Sequence, residues 1–293
     1  MIARKRFGQN FLKDTSVIQA IIHAIRPEPG QNLVEIGPGQ GALTRPILDI
    51  LSQHNLSNVG ANNIRPNSPN SIHAQKGEYY SPLHNNQQLL TMIEIDRDLV
   101  QILKTWPQNL NIIEADALTV NFSTLSPSKI RLFGNLPYNI STPLLLHLLP
   151  FIPSIQDAHF MVQKEVAERI AASPGEKNYG RLSVMIQYYC ETELLFSVGP
   201  HAFTPQPKVD SSVIRLTPHV NSPYPAIAFE KLESVVKQAF AHRRKTLKNN
   251  FKQDKMNQYW LSEKDWNTLK IDSNLRPEQL DISKYVTIAQ FLL

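Results

Sequence analysis

One cysteine, Cys190, is all that the 293 residues of this chain contain, which excludes an intrachain disulfide framework. No Cys/His cluster has zinc spacing, and the nine histidines are scattered. These absences predict a chain that holds no metal. No apolar run approaches the roughly 18 residues that span a bilayer. The opening Met1-Ile2-Ala3-Arg4-Lys5-Arg6 is basic but has no apolar core of signal-peptide length behind it. The expectation is a cytoplasmic protein with no membrane partner and, by default, a monomer. Charge is modest at 19%, against 42% hydrophobic residues, the balance of an ordinary globular protein. The length allows one large domain and a small one.

The net charge of +5 is small but unevenly placed. Arg4-Lys5-Arg6 forms one knot. Arg243-Arg244-Lys245, with Lys237 and Lys248, forms a second, expected on a helix. Such runs are commonly no more than solvated faces. Two of them in one chain suit a polyanion, with counterion release supplying much of the affinity.

Along the chain, Val17, Ile18, Ile21, Ile22 and Ile25 recur at helical spacing, and Pro27-Glu28-Pro29-Gly30 ends that helix. Leu33-Val34-Glu35-Ile36 predicts a strand running into Gly37-Pro38-Gly39-Gln40-Gly41, and Thr44 and Pro46 suit the first turn of the next helix. Further strands are predicted over 89–95, 111–114 and 130–134, with a helix over 97–104. Strand and helix in alternation imply a parallel sheet with covered faces. Residues 158–162 predict another strand, and 164–172 and 181–189 predict helices, the second with Leu182, Met185, Ile186 and Tyr189 on one face. Segments 193–198 and 211–216 predict an antiparallel pair closing the sheet. Proline- and polar-rich 218–225 reads as a linker to a small helical domain. The expected division is therefore 1–217 and 218–293. Residues 52–88, rich in Asn, Ser, Pro and His without apolar periodicity, are expected to be a polar surface insertion.

Chemistry concentrates at strand ends, where open α/β sheets bind ligands. The glycine turn has the spacing G-x-G-x-G, whereas a dinucleotide fingerprint is G-x-G-x-x-G. Glu94 at the end of one strand can accept from two ribose hydroxyls. Asp116 at the end of the next can accept from an adenine amine, or serve only as a turn residue. Asn135-Leu136-Pro137-Tyr138 closes the apolar run before it. An exocyclic amine is a poor nucleophile because its lone pair is delocalised. The Asn135 carboxamide oxygen and a main-chain carbonyl can accept its two hydrogens and draw it towards a tetrahedral state. Pro137 stiffens the turn, and Tyr138 offers a face on which a flipped base can stack.

These stretches together resemble the ribosomal RNA adenine N6-dimethyltransferase family. The likeness runs from Arg4 to about Tyr285, apart from 52–88. It is carried by 4–12 (Arg-Lys-Arg-Phe-Gly-Gln-Asn-Phe-Leu), 34–39, 93–96, 133–143, 163–166, 179–185 and 203–211. Their joint occurrence in this order is specific, although each alone is weak. The resemblance implies an α/β fold: a Rossmann-like S-adenosylmethionine-dependent methyltransferase sheet, mostly parallel with its last strand antiparallel, and a small C-terminal helical domain. It implies S-adenosylmethionine as methyl donor, with Asn10 and Leu12 covering it. Gly37 lines its methionine part, Glu94 takes the ribose, Asp116 the adenine amine, and Asn135 bridges donor and target. Tyr138 and Phe203 are implied to steady the target adenine, although Phe203 by composition is as readily a core aromatic. The implied partner is 16S rRNA in the small ribosomal subunit, dimethylated at two adjacent adenosines near its 3′ end, with a role in subunit biogenesis. The departure from the family pattern is the insertion, which sets Glu94 much further beyond Gly37 than the roughly 20 residues usual for this architecture.

Competing expectations are a macrolide-resistance methylase of large-subunit rRNA, a DNA adenine methylase and a non-catalytic ribosome-assembly factor. The stretches 179–185 and 203–211 favour the small-subunit enzyme over the first. Leu136, where DNA enzymes carry a second proline, disfavours the second. The intact set of Gly37, Glu94, Asp116 and Asn135 disfavours an idle pocket.

Overall fold

The structure, a computed structural model, describes residues 9–61, 90–107, 109–255 and 257–292. The basic knot Arg4-Lys5-Arg6 and most of the expected insertion lie outside the described residues. In chain order the elements are β1 (Phe11–Leu12), α1 (Thr15–Ile25), β2 (Asn32–Ile36), α2 (Thr44–Ala61), β3 (Leu90–Glu94), α3 (Arg97–Leu103), β4 (Leu110–Glu114), β5 (Ile130–Asn135), α4 (Ser141–Leu148) and β6 (Ile155–Gln163). There follow α5 (Lys164–Ala171), α6 (Arg181–Tyr189), β7 (Cys190–Val198), β8 (Phe203–Thr204), β9 (Ser211–Pro218), α7 (Phe229–Ala239), α8 (Leu247–Asn250), α9 (Glu263–Leu269) and α10 (Ile282–Phe291).

Seven strands form one sheet in the order β4-β3-β2-β5-β6-β9-β7. The first five run parallel, and β9 is antiparallel to both of its neighbours. The near-continuous apolar runs of β2, β3 and β5 are what a strand covered on both faces requires. Successive residues point to opposite layers. Val34, Ile36 and Leu132 join a cluster with α4, α6 and the C-terminal helices, while Leu33 and Phe133 join one with α1 and α2. Helix α1 follows from its isoleucines, of which Ile18, Ile21, Ile22 and Ile25 are buried. Asp14 caps its start by accepting from the N–H groups of Ser16 and Val17.

From β2 the chain proceeds through β3 to β4 on one side, then crosses back to place β5 on the other side of β2. That reversal opens a crevice beyond the carboxyl ends of β2 and β5. A second, two-stranded pairing lies apart from the sheet. Phe11 and Leu12 of β1 pair antiparallel with Thr204 and Phe203 of β8, and the N–H groups of Lys13 and Asp14 donate to the Ala202 carbonyl.

Three expectations are corrected. Helix α2 continues through Ala61, past the expected insertion boundary at Ser52. A helix already anchored by buried Leu48 and Leu51 propagates through polar residues at little cost per residue. On α6 it is Tyr188, not Tyr189, that turns fully inward. Its hydroxyl donates to the Pro225 carbonyl and accepts from the Ile227 N–H, so the expected linker is held to the helix. Arg243-Arg244-Lys245 sits on a turn rather than a helix, because α7 ends at Ala239 and α8 restarts at Leu247. Phe240 stacks on Tyr285, buried Leu247 donates its N–H to the Leu275 carbonyl, and Arg243 donates to the carbonyls of Lys177 and Tyr179. These tertiary contacts fix the bend. After β9 the described residues contain only helices and turns, and Leu232, Val236, Tyr285 and Ala289 share one buried cluster with Val184 and Met185 of α6.

Candidate active site

A cavity of about 320 Å³ fills the crevice. Its floor is the turn after β2. Gly37 has φ 68°, a left-handed backbone that favours glycine, and its N–H reaches the Ile93 carbonyl at 2.9 Å. Gly39 has φ 57°, and a Cβ there would stand 3.3 Å from the Phe11 ring. Its N–H donates to Glu94 Oε2 at 3.2 Å. The loop is therefore pressed between the β1 segment above it and the end of β3 beside it.

Glu94 is 6% exposed, and its Oε1 accepts from the Asp96 N–H at 2.9 Å. Burial raises its pKa, and the two N–H donors partly oppose that. Asp116 follows β4 and caps the short 3-10 turn Ala117–Thr119, with Oδ1 accepting from the Leu118 N–H at 3.0 Å. Its turn role and its place on the cavity wall thus coexist.

The fourth wall is the tip of β5. The Asn135 side-chain nitrogen donates to the main-chain carbonyl of Asn10 at 2.9 Å. Leu136 is buried and donates its N–H to the Met161 carbonyl of β6, while the Pro137 carbonyl accepts from the N–H groups of Ile140 and Ser141. The Tyr138 hydroxyl lies 2.6 Å from Ser211 Oγ, and burial raises the phenol pKa. The Asn135 carbonyl stands 4.0 Å from where a Cβ on Gly37 would be, so the β5 tip and the glycine turn face each other across one space.

Asn10, Leu12, Gly37, Glu94, Asp116, Asn135, Pro137 and Tyr138 all line this cavity. Phe203 does not. It is fully buried in β8, paired with Leu12 and packed in the cluster with Met161 and Val213. In this structure it holds down β1 and offers no face to a base. The carbon-rich surroundings of β8 claim the ring.

Glu35 is a cavity residue that sequence reasoning did not single out. It is 2% exposed beneath the glycine turn, and its Oε2 accepts from the Thr44 hydroxyl at 2.6 Å. Burial pushes its pKa up to about 8; the Thr44 hydroxyl opposes this and the nearby Glu94 charge adds to it. The available signal was an acid in an otherwise apolar strand two residues before Gly37. Gln9 was missed as well; its Nε2 donates to Asp96 Oδ2 at 3.0 Å and ties the β1 segment to the start of α3.

Among its described lining residues the cavity has Glu35, Glu94 and Asp116 and no Lys, Arg or His. A phosphate-rich dinucleotide finds no counter-charge there. A nucleoside carrying cationic groups does, and its ribose hydroxyls meet carboxylates. Among the described residues no group of His, Cys, Asp or Glu could hold a metal ion, and no helix is long and apolar enough to cross a membrane.

The family model for ribosomal RNA adenine dimethylase matches residues 2–58 and 76–293, which confines the stretch outside the pattern to 59–75. Ribosomal RNA small subunit methyltransferase A of Legionella pneumophila (strain Lens) is 49% identical over 292 residues, covering 99% of this chain and 97% of its own. The protein of the same name from Pseudomonas aeruginosa is 45% identical over 295 residues, covering 99% and 94%. In fold, the chain resembles a dimethyladenosine transferase from Plasmodium falciparum (TM-score 0.68, 23% identity, 95% of each chain) and the 23S rRNA methyltransferase ErmE (TM-score 0.60, 23% identity, 97% of this chain and 99% of that one).

Proposed function

The chain belongs to the ribosomal RNA adenine dimethylase family, and from that premise we propose that it transfers methyl groups from S-adenosylmethionine to N6 of two adjacent adenosines near the 3′ end of small-subunit rRNA. The observation that carries the reading is the single acidic cavity in which the glycine turn faces Asn135.

Bound S-adenosylmethionine supplies an electrophilic methyl carbon on a sulfonium. The chain's residues supply orientation, exclusion of water and hydrogen-bond acceptors. Glu94 takes the ribose, Asp116 the adenine amine, and Gly37 lets the backbone approach the methionine part. Asn10 and Leu12 roof the donor. Glu35, its pKa raised by burial, lies beneath the glycine turn and accepts from the Thr44 hydroxyl. Asn135 has its amide nitrogen committed to Asn10, which leaves the carboxamide oxygen to accept one N6 hydrogen. The carbonyls of Pro137 and Tyr138 already accept from Ile140 and Ser141. A main-chain carbonyl of the turn accepts the second hydrogen. On transfer the bound donor would give up its positive charge and the amine would release its surplus proton to bulk solvent once the site opens, so the chain's residues would need to supply no strong base. One N–H survives the first transfer, which permits the second. Tyr138 supports the target base on its face, while Phe203 acts indirectly by holding β1.

On this reading the basic turn 243–245 meets the phosphate backbone of the small subunit. The assignment is tested by incubating immature small subunits with enzyme and labelled donor, then digesting the rRNA and analysing it by mass spectrometry. Dimethyladenosine at two neighbouring 3′ positions supports it. Label elsewhere in that rRNA, or none, overturns it.

A further inference from the structure

The segment 203–211 stands out in the sequence, yet the proposed mechanism uses none of it directly. Its last residue, Ser211, is the first residue of β9 and is fully buried. The backbone there is gripped on both sides, paired with Gln163 of β6 and Val198 of β7. On β6, Met161 pairs with Asn135, so Ser211 lies just beyond the level of the β5 tip in a rigid part of the sheet. Its hydroxyl meets the Tyr138 hydroxyl at 2.6 Å.

Tyr138 is otherwise a half-buried loop aromatic that lines the cavity. Its main chain is fixed where its carbonyl accepts from the buried Ser141 hydroxyl at 3.2 Å. The contact to Ser211 fixes the far end of the ring. A phenol held at both ends cannot swing about its side-chain torsions, and ordering such a ring beforehand removes a cost that base binding otherwise carries. The arrangement also explains a hydroxyl at a fully buried strand position, where one left unpartnered is destabilising.

We infer that Ser211 is a positioning residue for methyl transfer: through its hydroxyl it holds the Tyr138 ring as a fixed platform for the target base. The inference rests on the function proposed above. Ser211 touches neither donor nor base, so its effect passes wholly through Tyr138.

The test is a double-mutant cycle on the intact enzyme, with small subunits as substrate, comparing wild type, Ser211→Ala, Tyr138→Phe and the double variant. Each single variant is expected to lower kcat about three- to tenfold, the range of one neutral hydrogen bond. The double variant should fall no further. Donor affinity by calorimetry should stay within twofold of wild type in all three. A merely structural serine would lower the melting temperature and leave kcat per folded molecule unchanged, which overturns the inference. Multiplying losses in the double variant, showing independent roles, overturn it as well. If Ser211→Ala does not fold, Tyr138→Phe decides: wild-type kcat there contradicts the inference, whereas a kcat loss with unchanged donor affinity upholds it. Wild-type enzyme that fails to methylate small subunits at all would instead refute the function on which the inference stands.

Discussion

The Asn135 carboxamide nitrogen donates to the main-chain carbonyl of Asn10 at 2.9 Å. This bond joins the roof of the cavity to its reactive end. The β1 segment bearing Asn10 is itself clamped, by pairing with β8, by Phe11 against Gly39, and by Gln9 on Asp96. A side-chain amide has one donor end and one acceptor end, so committing the nitrogen aims the oxygen. The segment that covers the donor thereby also orients the group that meets the acceptor.

Asn135→Ala is accordingly expected to lower kcat by about two to three orders of magnitude, the usual cost of losing a preorganised transition-state hydrogen-bond partner. Donor affinity should change by less than about fivefold, because the carboxylates and the glycine turn remain. Single-turnover kinetics and calorimetry check this pair of values, and full activity in the variant would remove Asn135 from the mechanism.

Deleting residues 1–12 should weaken donor binding at least about tenfold, since the deletion removes both the roof of the cavity and the Asn135 anchor. The sheet should still fold, because β1 pairs only with β8 and lies outside the seven-stranded sheet. Calorimetry with a melting curve reads both quantities, and an unchanged dissociation constant would contradict the role given to Asn10 and Leu12.

The parts of this molecule legible in its sequence are those whose environment is uniform. β2, β3 and β5 are covered on both faces and so read as apolar runs; β3 and β5 end on Glu94 and Asn135, polar residues that line the cavity, and β2 runs into its glycine turn. The pairing of Phe11–Leu12 with Phe203–Thr204 was not legible, because two residues are too few for a periodicity to show. Asn10 was assigned only through family likeness, since its contribution to Asn135 is a main-chain carbonyl that every residue type possesses. Phe203 shows the opposite problem: an aromatic near a site reads equally as base platform or core, and only burial separates the two. Arg243-Arg244-Lys245 looked helical because local propensity is silent about Phe240 stacking on Tyr285.

Glu35 predicts a pH effect on stability. Its folded pKa of about 8 lies above the ordinary value of 4.5. Its contribution is therefore fully present below pH 4.5 and is lost as pH rises through 8, by roughly 1.4 kcal/mol per pH step between those values. Chemical denaturation without ligand at pH 5 and pH 8.5 should show the wild type losing stability relative to Glu35→Gln. Parallel behaviour of the two proteins would contradict an ionising Glu35 beneath the glycine turn.

Arg243 spends its guanidinium on the carbonyls of Lys177 and Tyr179, whereas Arg244 and Lys245 are exposed. Replacing Arg244 and Lys245 with Ala should weaken small-subunit binding and flatten its log–log salt dependence by about 2 if each neutralises one phosphate. Donor affinity should not move. Binding titrations across salt concentrations test this, and an unchanged slope would place the RNA contact elsewhere.

The most direct measurement is a structure of the enzyme with S-adenosylmethionine, or an unreactive analogue, and the target adenosine. The account predicts the transferable methyl on the Gly37 side of the cavity, about 3–3.5 Å from N6, with the Asn135 oxygen accepting from that amine. A donor bound elsewhere, or an adenine amine held away from Asn135, would contradict it.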